Sequence, residues 1–119
     1  MDGRRKTGTL GEAAARRYLE EKGWLIRETN WRTRLGELDI IADQKGSIVI
    51  VEVRTTRGTR FGYGFQSVDG KKQQKVRRLA LQYVKSHRLE NRPLRIDVIS
   101  VLLAPSGEVE RLDHLEGAF

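Results

Sequence analysis

At 119 residues the chain has the length of a single domain, enough to bury a core and too short for two. It has no cysteine, which excludes a disulfide scaffold, a cysteine nucleophile and a thiolate zinc site, and with only His87 and His114 it does not suit a histidine-rich metal centre. The net charge of +7 is unevenly spread. Lys and Arg outnumber Asp and Glu nine to five in residues 1–34 and twelve to two in 54–95, but are outnumbered four to one in 35–53 and five to one in 96–119. Basic segments around a small acidic centre read as a phosphate-binding surface, because Lys and Arg gain affinity by releasing counterions from a polyanion; the plainer alternative is solvated helix faces. No run approaches the roughly 18 apolar residues of a membrane span. The start, Met1-Asp2-Gly3-Arg4-Arg5-Lys6, is charged with no apolar stretch behind it, so a cytoplasmic protein is expected.

Residues 1–8 read as a flexible basic tail and 9–119 as one domain. Thr9 to Lys22 has the spacing of a helix, with Leu10, Ala13, Ala14, Tyr18 and Leu19 approximating an apolar stripe and Gly23 as its stop. Thr9-Leu10-Gly11-Glu12 has capping-box spacing. A strand follows at Trp24 to Trp31, where the two tryptophans suit core packing better than stacking on bases, and then a turn at 32–36. The segments 36–43 and 48–54 are nearly apolar strands, so both faces should be buried in the middle of a sheet. Centring their turn on Lys45-Gly46 makes paired residue numbers sum to 91. Asp39 then faces Glu52, Glu37 faces Arg54, and all four share one face. Facing carboxylates among Ile and Val are costly unless paired or holding a cation, and a divalent cation would resolve the conflict.

Residues 55–67 read as a long loop with interleaved Arg57, Arg60, Phe61, Tyr63 and Phe65, and with Gln66 near its end. Asp69 to Arg88 is the clearest helix: Val76, Leu79, Ala80, Tyr83 and Val84 on one side, Lys71, Lys72, Lys75, Arg78, Lys85 and Arg88 mostly elsewhere. Pro93 precedes a strand from Arg95 to Leu103, in which Asp97 pairs with Arg95 two residues away on the same face. Pro105-Ser106-Gly107 then turns into a last strand, Val109 to Leu115. The order is αβββαββ, an α/β fold.

Glu37-x-Asp39, twelve residues, then Glu52-x-Arg54 resembles the active-site signature of the PD-(D/E)XK nuclease superfamily, which includes restriction endonucleases and archaeal Holliday-junction resolvases. The chain more closely resembles the bacterial YraN family, which shares that fold. The matching stretches are Thr7-Gly8, Leu10-Gly11-Glu12, Tyr18-Leu19-Glu20, Asn30-Trp31-Arg32, Gly36 to Ala42, Val51 to Thr55, Phe61-Gly62, Lys72-Gln73, Arg95 to Val98 and His114 to Phe119. The resemblance implies a restriction-endonuclease-like three-layer core, a mixed central sheet flanked by helices. It implies Mg²⁺, with Mn²⁺ as substitute, held by Asp39, Glu52 and the Val53 carbonyl, and metal-dependent hydrolysis of DNA rather than RNA, on branched or flapped structures. A homodimer would follow if the chain acted as a resolvase. The alternative is a binding module that keeps the fold without cutting.

The superfamily signature has lysine where this chain has Arg54. Arg54 stabilises the transition state electrostatically, or simply pairs with Glu37, or leaves the lysine's work to Lys71, Lys72 or Lys75. Glu12 is either a metal-facing carboxylate, as in related resolvases, or a capping-box residue; Glu37 is either a fourth carboxylate or the partner of Arg54. Arg57, Arg60, Lys71, Lys72, Lys75 and Arg78 are the candidate nucleic-acid contacts, and no separate organic cofactor site is implied.

Overall fold

The computed structural model describes residues 3–58 and 69–119. Seven elements follow the expected order: α1 (Gly3–Glu21), β1 (Leu25–Thr33), β2 (Gly36–Gln44), β3 (Ser47–Arg57), α2 (Gly70–Ser86), β4 (Leu94–Leu103) and β5 (Val109–Leu115). The five strands form one sheet in sequence order, antiparallel except where β3 runs parallel to β4. That parallel pair needs a crossover, and α2 supplies it. The long apolar strand β3 occupies the centre, as its lack of alternation requires.

Alternating side chains of β3 feed two cores. Ile48 and Ile50 pack with Val76, Leu79, Ala80, Tyr83 and Val84 of α2, whereas Val49 and Val51 pack with Ala15 and Leu19 of α1. Helix, sheet and helix therefore form three layers, the architecture of a restriction-endonuclease-like core. The α2 stripe is the one its spacing predicts. On α1 the predicted Leu10, Ala14, Tyr18 and Leu19 do pack in the core, but Ala15 is buried in place of Ala13, which is exposed. Trp24 is buried in the α1 core, and Trp31 packs edge-on to Tyr83 at 5.2 Å; both tryptophans are packing residues.

Two boundaries differ from expectation in ways that matter for the site. Helix α1 begins at Gly3 rather than Thr9, so Thr9 lies inside the helix and cannot be an N-cap. Strand β3 extends to Arg57, which leaves less of a loop than predicted; residues 59–68, including Arg60, Phe61, Tyr63, Phe65 and Gln66, lie outside the described residues. Asp69 caps α2, its carboxylate accepting from the Lys72 N–H at 2.9 Å. No helix among the described residues is long and apolar enough to cross a membrane.

Candidate metal centre at the open end of the hairpin

Lys45 (φ 51°) and Gly46 (φ 88°) form the β2–β3 turn, the left-handed pair that matches strand twist in two-residue hairpins. It fixes the register. Gln44 pairs with Ser47, and pairing continues through Ile40 with Val51, every pair summing to 91 as predicted. Beyond that point carboxylates stand where ladder bonds would be. Asp39 Oδ2 accepts from the Val53 N–H at 2.8 Å, and Glu52 Oε2 lies 3.4 Å from the Asp39 N–H, which donates to it. Around Asp39 strict alternation also fails, since Leu38 and Ile41, three residues apart, both join the α2-side core.

The opened strands border a cavity of about 520 Å³. Glu12 reaches it from α1, Glu37 and Asp39 from β2, Glu52 and Val53 from β3, and Asp69, Lys71, Lys72 and Lys75 from the first turns of α2. Gly11 is what allows Glu12 to come so near. A Cβ on Gly11 would lie 1.8 Å from Thr55 Oγ1, so only glycine lets α1 sit this close to β3.

The predicted Glu37–Arg54 pair does not form. Glu37 lies opposite Arg32 of the neighbouring strand β1 and forms its ion pair there, because β2 is hydrogen-bonded to β1 at this level after β3 has parted from it. Arg54 does not line the cavity, although its charge still lowers the pKa of Glu52. The capping role considered for Glu12 is likewise excluded. Its Oε1 instead accepts from Asn30 Nδ2 at 2.9 Å, and the same amide donates to Glu37 Oε1 at 3.2 Å. Asn30 adopts φ 53°, the left-handed conformation that asparagine tolerates better than most residues. Asn30, Arg32 and Asp69 were not singled out as site residues; a polar residue inside a strand, three positions before a turn, was the available signal for Asn30.

Burial pushes Asp39 up to about 6, with the charges of Glu12 and Glu37 adding to the rise and the Val53 N–H and Lys72 opposing it. Glu52, only 6% exposed, is pushed up to about 8 by burial and then by the Asp39 charge, against the Asp39 N–H, Lys72 and Arg54. Each carboxylate is therefore held part-way towards its neutral form. Lys72 is the cation acting on both. A cation placed between them would reverse the penalty.

The donor set suits a hard ion. Carboxylate oxygens of Glu12, Glu37 and Asp39 lie within 4.8 Å of one another, with Glu52 in the same cavity. All are oxygen donors, which favour Mg²⁺ or Mn²⁺ over softer metals. Of the cationic candidates, Lys71, Lys72 and Lys75 line this cavity, and Arg78 lines an adjoining groove. Arg57 is exposed at the end of β3, beside the Gly107 turn and away from the carboxylates.

Residues 11–101 match the family described as Uncharacterised protein family UPF0102, and this span contains every carboxylate of the cavity. The chain belongs to that family, the YraN family. Among its relatives, a UPF0102 protein of Moorella thermoacetica is 44% identical over 98% of this chain and 97% of its own length. One from Pelotomaculum thermopropionicum is 43% identical over 99% and 98%, and one from Dictyoglomus turgidum 36% identical over 97% and 98%. The likeness thus extends from end to end and includes α1, which carries Glu12.

Proposed function

We propose that this UPF0102 protein is a metal-dependent nuclease that hydrolyses phosphodiester bonds in DNA. The observation that carries the reading is a pair of facing carboxylates, the half-buried Asp39 and the buried Glu52, that lines one cavity with Lys71, Lys72 and Lys75. Ion pairing that merely stabilised the fold would lower these pKa values, whereas burial and mutual repulsion raise both.

Asp39, Glu52 and the Val53 carbonyl would hold Mg²⁺, with Glu12 at its flank. Bound there, the ion supplies a water of lowered pKa and charge stabilisation at a phosphoryl oxygen. The remaining work falls to the chain itself. Lys72, the cation that acts on both carboxylates, binds the phosphodiester and faces the charge that develops during displacement. A guanidinium is no general base, so Arg54 contributes at most a fixed charge that acts on Glu52. Glu37, tied to Arg32 and Asn30, orients the Asn30 amide and through it Glu12.

A second reading, a binding module without turnover, is favoured by one observation: the arginine in the signature's lysine position does not line the cavity. Cleavage of labelled single-stranded, duplex, flap and four-way-junction DNA with Mg²⁺ or Mn²⁺ separates the two. The nuclease reading expects metal-dependent cutting that falls by about a hundredfold or more in Glu52→Gln and Lys72→Met. Binding without cutting by the wild type supports the module, and activity appearing in Arg54→Lys would place it one residue from catalysis.

A further inference from the structure

Beside the acidic cavity, sharing Lys71 and Lys75 with it, lies a groove of about 270 Å³ whose other walls are Leu35, Gln74 and Arg78. It is lined by three cations and no carboxylate. Lys71, Lys75 and Arg78 are all exposed, and none forms an ion pair among the described residues. Converging like charges repel, and an anion in their midst removes that cost.

The remaining wall is unusual for a basic groove. Leu35 is 43% exposed at the tip of the β1–β2 turn, where a polar residue would cost nothing. It is held in place: Thr33 pairs with Gly36 across the turn, and the Leu35 N–H donates to Thr33 Oγ1 at 3.1 Å. Gly36, at φ 146°, lacks the Cβ that would meet the Lys75 stem at 2.8 Å, so the ammonium and the leucine share one groove.

We propose that this groove binds an unpaired nucleotide adjoining the phosphate presented to the acidic cavity, with its phosphate on Lys71, Lys75 and Arg78 and its base or sugar against Leu35. In a duplex the bases are stacked inward and the phosphates face out, so cations and an apolar wall within one small groove suit a nucleotide whose base is free. The inference rests on the nucleic-acid reading of the neighbouring cavity. It narrows the substrate to DNA with a single-stranded segment at the cleavage position.

The test is fluorescence anisotropy at several salt concentrations, without divalent metal, on a single strand, a flapped duplex and a blunt duplex. Wild type is expected to bind the first two more tightly than the third. Leu35→Ser, at an exposed position and checked by a thermal melt, should weaken binding of the single strand and flap about fivefold with the salt slope unchanged. It should leave the blunt duplex unaffected. Arg78→Ala should lower the salt slope by about one on single strand and flap. Equal wild-type affinity for all three, or a silent Leu35→Ser, overturns the assignment. Because the readout is binding, a protein that keeps this preference yet never cuts removes the nuclease reading alone. One that cuts but binds flap and duplex alike removes the groove assignment alone, and failure to bind any of the three removes both.

Discussion

The Asp39–Glu52 pair spans β2 and β3 and Asp97 lies on the next strand, β4, yet the two acidic centres have opposite electrostatics. Asp97 on β4 exposes none of its surface, yet its pKa is lowered. Burial alone would raise it. The hydrogen bond from His114 Nε2 at 2.7 Å, the two from Arg95 at 2.8 and 2.9 Å and the Gly117 N–H at 3.0 Å outweigh that penalty. A carboxylate only accepts, so His114 Nε2 donates to Asp97, while Nδ1 lies 3.0 Å from the Tyr18 hydroxyl. Asp39 and Glu52 have one backbone donor each and face one another. Low exposure alone therefore does not set the charge state of a carboxylate in this protein. The supply of donors does.

The comparison breaks most visibly at Asp97. Asp97→Ala strands Arg95 and His114 and should cost about 3–5 kcal/mol in urea unfolding. Glu52→Gln should have the opposite sign, stabilising the metal-free protein at pH 8, because it removes one of two facing charges. If both variants destabilise equally, the centres are alike and the contrast is wrong.

Asp39 and Glu52 have folded pKa values raised above their ordinary ones, so the folded protein binds more protons than the unfolded chain between those values. Stability from this pair is complete below about pH 4 and lost as pH rises through about 6 and about 8, by a few kcal/mol in all. Melting in metal-free buffer should follow that slope, flatten in Glu52→Gln, and be offset by Mg²⁺ more at pH 8 than at pH 5. Asp97 contributes in the other direction: its lowered pKa adds stability that is present at neutral pH and lost on acidification.

Gly11→Ala pushes α1 away from Thr55 and with it Glu12 from the cavity. A loss of about 1–3 kcal/mol is expected, together with weaker Mg²⁺ stabilisation, read from melts with and without the ion. The smallest effect belongs to Tyr18→Phe. It removes the hydroxyl bound to His114 while keeping the ring, at about 1 kcal/mol, and should leave Mg²⁺ stabilisation unchanged because it touches only the Asp97 centre.

What could be read from the chain is what depends on neighbours in sequence. The Lys45-Gly46 turn and the apolar runs on either side set the hairpin register, which brought Asp39 and Glu52 together. Helix α2 announced its buried stripe through spacing alone, and Arg95 met Asp97 because residues two apart share a strand face. The partner of Glu37 was misread for a physical reason. Extrapolating the hairpin assumed that β3 stays bonded to β2, but the ladder is replaced by carboxylate contacts at Asp39, and β1 supplies Arg32 instead. Of the two readings of Glu12, the cap fails because it rests on spacing alone, whereas the helix continues back to Gly3; the carboxylate that reaches the cavity is the one that stands.

Sequence by itself determined the order of elements, the hairpin register and the identity of the facing carboxylates, because turns, strand alternation and helical spacing are local properties. Tertiary structure decided which charges are quenched and which are left wanting. Asn30 between Glu12 and Glu37, His114 on Asp97, Gly11 against Thr55 and Leu35 beside the lysines of α2 all join residues distant in the chain. Their meeting depends on how helices and strands pack, which no spacing rule within a segment contains.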